Sequence, residues 1–126
     1  MKIIDLKLVF TTLLFIFVFI SGIMLSKYGR PLNIVLFTIH KVISILALIL
    51  TIIVIYHLLR GVDLKAIDYS IILVTSIFFL SAIITGGLLS IEKMTNDIIL
   101  VSHKVLSILT LISITFTVYF FINLKV

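Results

Sequence analysis

The sequence predicts an all-α integral membrane protein, a four-helix bundle built from two parallel helix-pair repeats. Three observations predict it. Apolar residues make up 63% of the chain and charged residues 12%, with a mean hydropathy of +1.46, whereas a soluble domain carries about 25% charged residues. Four apolar runs approach the roughly 20 residues needed to cross a bilayer, with short polar segments between them. The stretch His40-Lys41-Val42-Ile43-Ser44-Ile45-Leu46 returns as His103-Lys104-Val105-Leu106-Ser107-Ile108-Leu109, 63 residues later, which is half of the 126-residue chain. Over the 20 positions from His40, nine residues recur in the window from His103.

The first run, about residues 8–26, is longer than a signal-peptide core and lacks a small-residue cleavage site, so it reads as a retained span. Lys27-Tyr28-Gly29-Arg30-Pro31 is a turn, and Asn33 is placed to cap the second span, 34–59. Arg60 to Lys65 forms the second loop. The third span covers about 67–89, and Ser90 to Thr95 is the third loop. Asn96 stands seven residues before His103, as Asn33 does before His40, and is expected to cap the fourth span, about 97–122. Short loops make neighbouring helices antiparallel. The whole of 1–126 reads as one transmembrane domain with repeat units of about 1–63 and 64–126. An even number of spans per unit gives parallel repeats, related by an axis along the membrane normal. A second echo supports the pairing: Ser21-Gly22 corresponds to Thr85-Gly86, and Leu25-Ser26 to Leu89-Ser90, at an offset of 64.

The net charge of +5 does not point to nucleic acid, because the ten Lys and Arg are dispersed over the chain ends and loops. They divide five to five between the two sides of the membrane, so the positive-inside rule assigns no orientation. Cysteine is absent, which excludes disulfides, thiolate metal sites and covalent haem attachment.

The chemistry resides in the two repeated histidines. On a helix, offsets of 4, 7 and 11 share a face. From His40 these are Ser44, Ala47 and Thr51; from His103 they are Ser107, Thr110 and Ile114. Each imidazole thus lies on a small or polar stripe, the kind that faces other helices rather than lipid. Both lie seven residues past an Asn, about 10 Å into the membrane at 1.5 Å per residue. The first and third spans reach that depth at Gly22 and at Gly86-Gly87. Two imidazoles at one depth, with glycines opening space beside them, suit a flat macrocycle, and His is a common axial haem ligand. Lys41, Lys104 and Arg30 are cations suited to haem propionates. Ser44 and Ser107 are placed to bond back to the carbonyl one turn earlier.

His57 is separate. It lies 17 residues beyond His40, about 25 Å along the helix, near the opposite interface, and its repeat partner is Phe120. Zinc takes three or four protein ligands, and only two histidines converge. Asp5, Asp63, Asp68, Glu92 and Asp97 fall in loops or at helix ends, and no Ser–His–acid set or phosphate loop occurs within the spans.

Four spans with a His on the second and the fourth resemble the small prokaryotic membrane b-type cytochromes. The chain is similar to the cytochrome b561-like group, and also to one half of a haem A synthase. The first resemblance implies one haem b per chain, ligated by His40 and His103, and electron transfer between a membrane quinone and a redox protein or larger complex. It also implies a multi-pass protein of a prokaryotic cytoplasmic membrane, able to form a homodimer, whose role is that of an electron-transfer subunit. Many b561-type proteins bind a second haem through paired histidines on one helix, at a spacing that His40 and His57 do not have. Haem A synthases carry a Glu one helical turn before a His, where this chain has Phe37 and Leu100. A half-size haem-modifying enzyme and a haem-free four-span scaffold are the alternatives.

Overall fold

The computed structural model describes residues 3–91 and 97–125, without the side chains of Ile3, Ile4 and Lys125. Among them are four helices: α1 (Ile3–Tyr28), α2 (Ile34–Leu59), α3 (Ala66–Leu89) and α4 (Asp97–Lys125). Each contains a segment long and apolar enough to cross a membrane: Asp5–Tyr28, Ile34–Leu59, Ala66–Leu89 and Asp97–Leu124. α1 packs on α2 and α3 on α4, and the chain divides into two compact units, Met1–Arg60 and Gly61–Val126. Each unit is an antiparallel helical hairpin.

The helix bounds follow from local chemistry. α1 starts five residues before the expected position and runs two beyond the expected end. Ile3 to Lys7 contains no breaker, and Asp5 in the first turn complements the helix dipole. Gly29 halts the helix by taking a positive φ of 68°, the left-handed position that glycine fills without strain. Asn33 caps α2 as the sequence predicts, its Oδ1 accepting from the Leu36 N–H at 3.0 Å. Its counterpart Asn96, with Glu92 and Lys93 of the third loop, lies outside the described residues. α3 begins at Ala66, one residue early, because Asp68 reaches back to accept from the Lys65 N–H at 2.6 Å. That carboxylate is 3% exposed, so this bond, the returning half of a capping box, satisfies a charge that water no longer reaches. α4 continues to Lys125, three residues beyond the expected end, through a stretch without Gly or Pro.

The seam of each hairpin mixes hydroxyl side chains with apolar ones. α2 buries Ala47, Thr51, Val54 and Leu58, and α4 buries Thr110, Ile114, Thr117 and Phe121. These alternate steps of three and four continue the stripes on which His40 and His103 stand. α1 contributes Thr11, Ser21 and Leu25, and α3 contributes Thr75 and Leu89. The large aliphatic and aromatic side chains Phe17, Ile23, Ile45, Ile52, Ile84 and Ile112 are exposed, as expected of a surface meeting lipid chains. Lipid gives no hydrophobic drive for helix pairing, so close packing and interhelical hydrogen bonds hold the seam.

Three hydroxyls bond across the second seam. Thr117 Oγ1 donates to the Ser113 carbonyl at 2.8 Å. A hydroxyl has one proton, so Thr75 Oγ1 donates to Thr117 Oγ1 at 2.7 Å, and Ser113 Oγ donates to Thr75 Oγ1 at 2.7 Å. Thr75→Val keeps the shape and removes the central link. Interhelical hydrogen bonds in membranes are worth about 0.6 kcal/mol on average and up to about 1.7. Thr75→Val should therefore destabilise the protein by about 1–2 kcal/mol in a reversible unfolding measurement in micelles or bilayers. Ser76→Val, at an exposed hydroxyl bonded only to its own helix, is the control and should change little.

Candidate functional site

Each hairpin seats one histidine, and the two seats share one construction. His40 of α2 is half-buried against α1. Its Nδ1 lies 2.9 Å from Ser21 Oγ, and Ser21 Oγ also reaches the Val18 carbonyl at 3.0 Å. The next residue, Gly22, makes the room: a Cβ built there would stand 3.2 Å from Cε1 of His40. In the second hairpin, His103 Nδ1 lies 3.1 Å from Thr85 Oγ1 and 3.1 Å from the Ala82 carbonyl. Thr85 Oγ1 reaches the Ser81 and Ala82 carbonyls at 2.8 and 3.1 Å. Gly86 again follows the hydroxyl residue, and a Cβ there would stand 3.0 Å from Cε1 of His103.

These bonds assign the His103 ring proton. A carbonyl oxygen only accepts, so His103 Nδ1 must carry a proton to bond Ala82. Thr85 spends its single proton on a carbonyl of its own helix, so its oxygen also accepts from Nδ1. Ser21 Oγ stands in the corresponding place, bonded to both the Val18 carbonyl and His40 Nδ1. The His103 ring is therefore fixed with Nδ1 protonated, the arrangement in which neutral imidazole offers Nε2 as its basic nitrogen.

The remaining sequence candidates fall into place around the seats. Ser44 Oγ donates to the His40 carbonyl and Ser107 Oγ to the His103 carbonyl, both at 2.7 Å. They serve the helix backbone one turn back, as expected. The room at Gly22 and Gly86, expected to open beside a macrocycle, is taken by the imidazoles themselves. Gly87 differs: a Cβ there would meet nothing within 4 Å, so it forms no part of the His103 seat. Lys41 and Lys104 are exposed. The Lys41 ammonium rests 4.4 Å from the centroid of the Phe37 ring, one turn earlier on its own helix. Arg30 is exposed, in the turn after α1.

The hydroxyl partners are the part that sequence reasoning missed. Ser21 and Thr85 showed in the sequence only as an echo between helices one and three. The informative signal was a hydroxyl residue directly before a glycine, at the depth of a histidine on the next helix. Among the described residues, no group of three or more His, Asp or Glu gathers to hold a metal ion. A shallow groove of about 200 Å³ lies in the second hairpin between Ser70, Ile71, Val74, Ser113 and Phe116. No histidine lines it, and Ser113 is ten residues beyond His103 on α4.

Compared with protein-family models, curated proteins and solved structures, the chain matches none.

The two glycines of the third helix separate by this geometry. Gly86→Ala drives a methyl into the His103 ring, and overpacking of this kind costs about 1–3 kcal/mol. Gly87→Ala meets open space and should leave stability within error or raise it slightly. Paired unfolding measurements check this, together with the His103 ring resonances in a nitrogen-15 spectrum. Those resonances should move in Gly86→Ala and hold in Gly87→Ala.

Proposed function

We propose that the chain is a small membrane b-type cytochrome subunit, similar to the cytochrome b561-like group. In this reading His40 and His103 hold one haem b through their Nε2 atoms, one ligand from each hairpin. The observation that supports it is the repeated seat. In each, Nδ1 is hydrogen-bonded to a hydroxyl of the neighbouring helix, and ligating histidines typically donate their other ring N–H to such a second group. The donor set fits haem iron, which takes neutral imidazoles as axial ligands. When bound, the haem supplies one-electron oxidation and reduction.

This chain's own residues then have distinct tasks. Ser21, Thr85 and the Ala82 carbonyl orient the rings, and the carbonyl fixes the His103 tautomer. Gly22 and Gly86 give the rings room. Gly87 presents bare backbone one residue from the His103 seat, where a side chain would compete with a macrocycle. Lys41, Lys104 and Arg30 are the cations for the propionates, and Lys41 would leave the Phe37 ring to serve. The reading joins the two hairpins in one four-helix bundle as duplicated, parallel units. It is supported by the recurrence of the whole seat, hydroxyl, glycine and histidine, at offsets of 64 and 63 residues. A lipid-soluble quinone and a redox protein of a prokaryotic cytoplasmic membrane are the electron partners it implies, and the apolar exposed faces are compatible with the former.

One observation favours a second reading, a haem-free scaffold: the Nδ1 bonds already tie each histidine to its neighbouring helix. Against it, the hydroxyls of Thr75, Ser113 and Thr117 tie α3 to α4 with no ionisable group. Such hydroxyl bonds join two helices without the expense of an ionisable group within the membrane.

An absorption spectrum of the protein purified from haem-replete cells decides between them. A Soret band with sharp reduced α and β bands is expected, and its absence after haem is offered would leave the scaffold reading. His40→Ala and His103→Ala should each abolish the low-spin spectrum, and an unchanged spectrum in either would remove that residue as a ligand. His57→Ala should leave the spectrum intact.

A further inference from the structure

The first hairpin carries a second polar pair at its other end. His57 Nδ1 lies 3.0 Å from the Ile53 carbonyl, one turn earlier on α2. The carbonyl only accepts, so Nδ1 holds the ring proton. His57 Nε2 lies 3.3 Å from Lys7 Nζ of α1, and with Nδ1 protonated it is the acceptor of that ammonium. Both side chains are half-buried. Tyr56 stands edge-on to the ring, with centroids 6.0 Å apart.

The chemistry of this pair is unusual for a lysine partner. A carboxylate at position 57 would fix the ammonium and cancel its charge. A neutral imidazole fixes it and leaves the charge in place. The ammonium has three N–H donors, and the imidazole takes one. The pair lies two residues inside the ends of its spans, which run from Asp5 and to Leu59, about 3 Å along the helix. Helices of 24 and 26 residues exceed a hydrocarbon core of about 30 Å, so this level would fall near the lipid headgroups.

Hairpin architecture does not require the pair. The positions of the second hairpin that correspond at offsets of 64 and 63 are Ile71 and Phe120. Phe120 there stacks on Phe116 and stands edge-on to Phe121, so the same place in the fold is filled by apolar packing. The histidine seats are shared by both hairpins, whereas Lys7 and His57 belong to the first alone.

We propose that Lys7, held in position by His57, binds the phosphate of an anionic phospholipid headgroup at this end of the first hairpin. Lys7 supplies the charge and the N–H donors to the phosphate oxygens. His57 is a positioning residue that holds the ammonium against the hairpin without neutralising it. The assignment is independent of whether His40 and His103 carry haem.

The test uses the full chain in phosphatidylcholine vesicles, with spin-labelled phosphatidylglycerol or spin-labelled phosphatidylcholine as probe. The fraction of motionally restricted label reports the lipid at the protein surface. The protein should prefer phosphatidylglycerol by about fivefold, the effect of one well-placed cation at a membrane surface. Lys7→Ile should abolish the preference, and His57→Phe should cut it by more than half although it leaves the formal charge unchanged. Both variants install the residues that the second hairpin carries, so insertion should survive. His57→Gln, which keeps an acceptor, should restore most of the preference. An unchanged preference in His57→Phe would overturn the proposal. So would a loss in Lys65→Gln equal to that in Lys7→Ile, which would show diffuse attraction to any nearby cation. Erasure of the preference by millimolar inorganic phosphate at constant ionic strength would also overturn it, assigning the site to a soluble anion.

Discussion

An imidazole inside a membrane span must find hydrogen-bond partners within the protein, and that requirement organises both hairpins. Water is absent at that depth, so an unpaired ring nitrogen costs several kcal/mol. Each hairpin meets the demand with the same three parts. A hydroxyl on the preceding helix is hydrogen-bonded to Nδ1. A glycine directly after it removes the Cβ that would strike the ring. A serine one turn beyond the histidine bonds to the carbonyl behind it. The glycine keeps the approach close: a built Cβ would stand 3.0–3.2 Å from Cε1, tighter than ordinary contact, so the ring would have to give by a few tenths of an ångström.

The same rule shapes the rest of each seam. In lipid there is no hydrophobic drive for helix pairing, so hydroxyls and small residues share the seams with a few large side chains, Leu25, Leu58, Leu89, Ile114 and Phe121, while most Ile, Leu and Phe are outside. Thr11, Ser21, Thr51, Thr75, Thr110 and Thr117 are all buried, and each donates to a backbone carbonyl or a second hydroxyl. No described buried side-chain nitrogen or oxygen is left without a partner. Asp68, the buried carboxylate, satisfies the rule at a helix start by accepting from the Lys65 backbone.

The elements were legible because their signals are long. Four apolar runs, Asn33 at a cap and stripes at steps of three and four survive any local irregularity. The helix ends were less legible. Leu8 was read as the start of α1 because charge begins before it, yet Asp5 and Lys7 are compatible with a helix and nothing before Leu8 breaks one. The histidines were legible because they recur. Their partners were not, since a Ser or Thr in a membrane helix most often bonds to its own backbone. Ser21 and Thr85 do that as well, and only the three-dimensional approach of the next helix reveals the second bond. The glycines are expected to open space beside a macrocycle, whereas at Gly22 and Gly86 the imidazoles themselves take that space; what fills it depends on the azimuth of the neighbouring helix, which spacing alone does not fix. The Lys7–His57 contact joins residues 50 apart on different helices, with no periodic pattern linking them.

The contrast between the two ends of the first hairpin separates what copying explains from what it does not. A duplicated hairpin inherits its whole sequence, so two matching histidine seats count as one observation at the moment of duplication. Later divergence is a second observation. The window after each histidine retains nine residues in 20, and the hydroxyl, the glycine and the histidine of the seat are among the features held in both halves. At the far end, Lys7 faces Ile71 and His57 faces Phe120 in the comparison of halves, so neither polar residue is held in common. Away from its histidine seat, the second hairpin packs Phe120 on Phe116 and Phe121 and bonds Thr75 to Ser113 and Thr117, without an imidazole. The histidine seat is kept in both halves, each with a hydroxyl of the neighbouring helix on Nδ1, and in the second the Ala82 carbonyl fixes the ring proton there. A fixed Nδ1 proton leaves Nε2 as the nitrogen able to ligate a metal, and that is the property by which an imidazole differs from the hydroxyls that serve the rest of the seam.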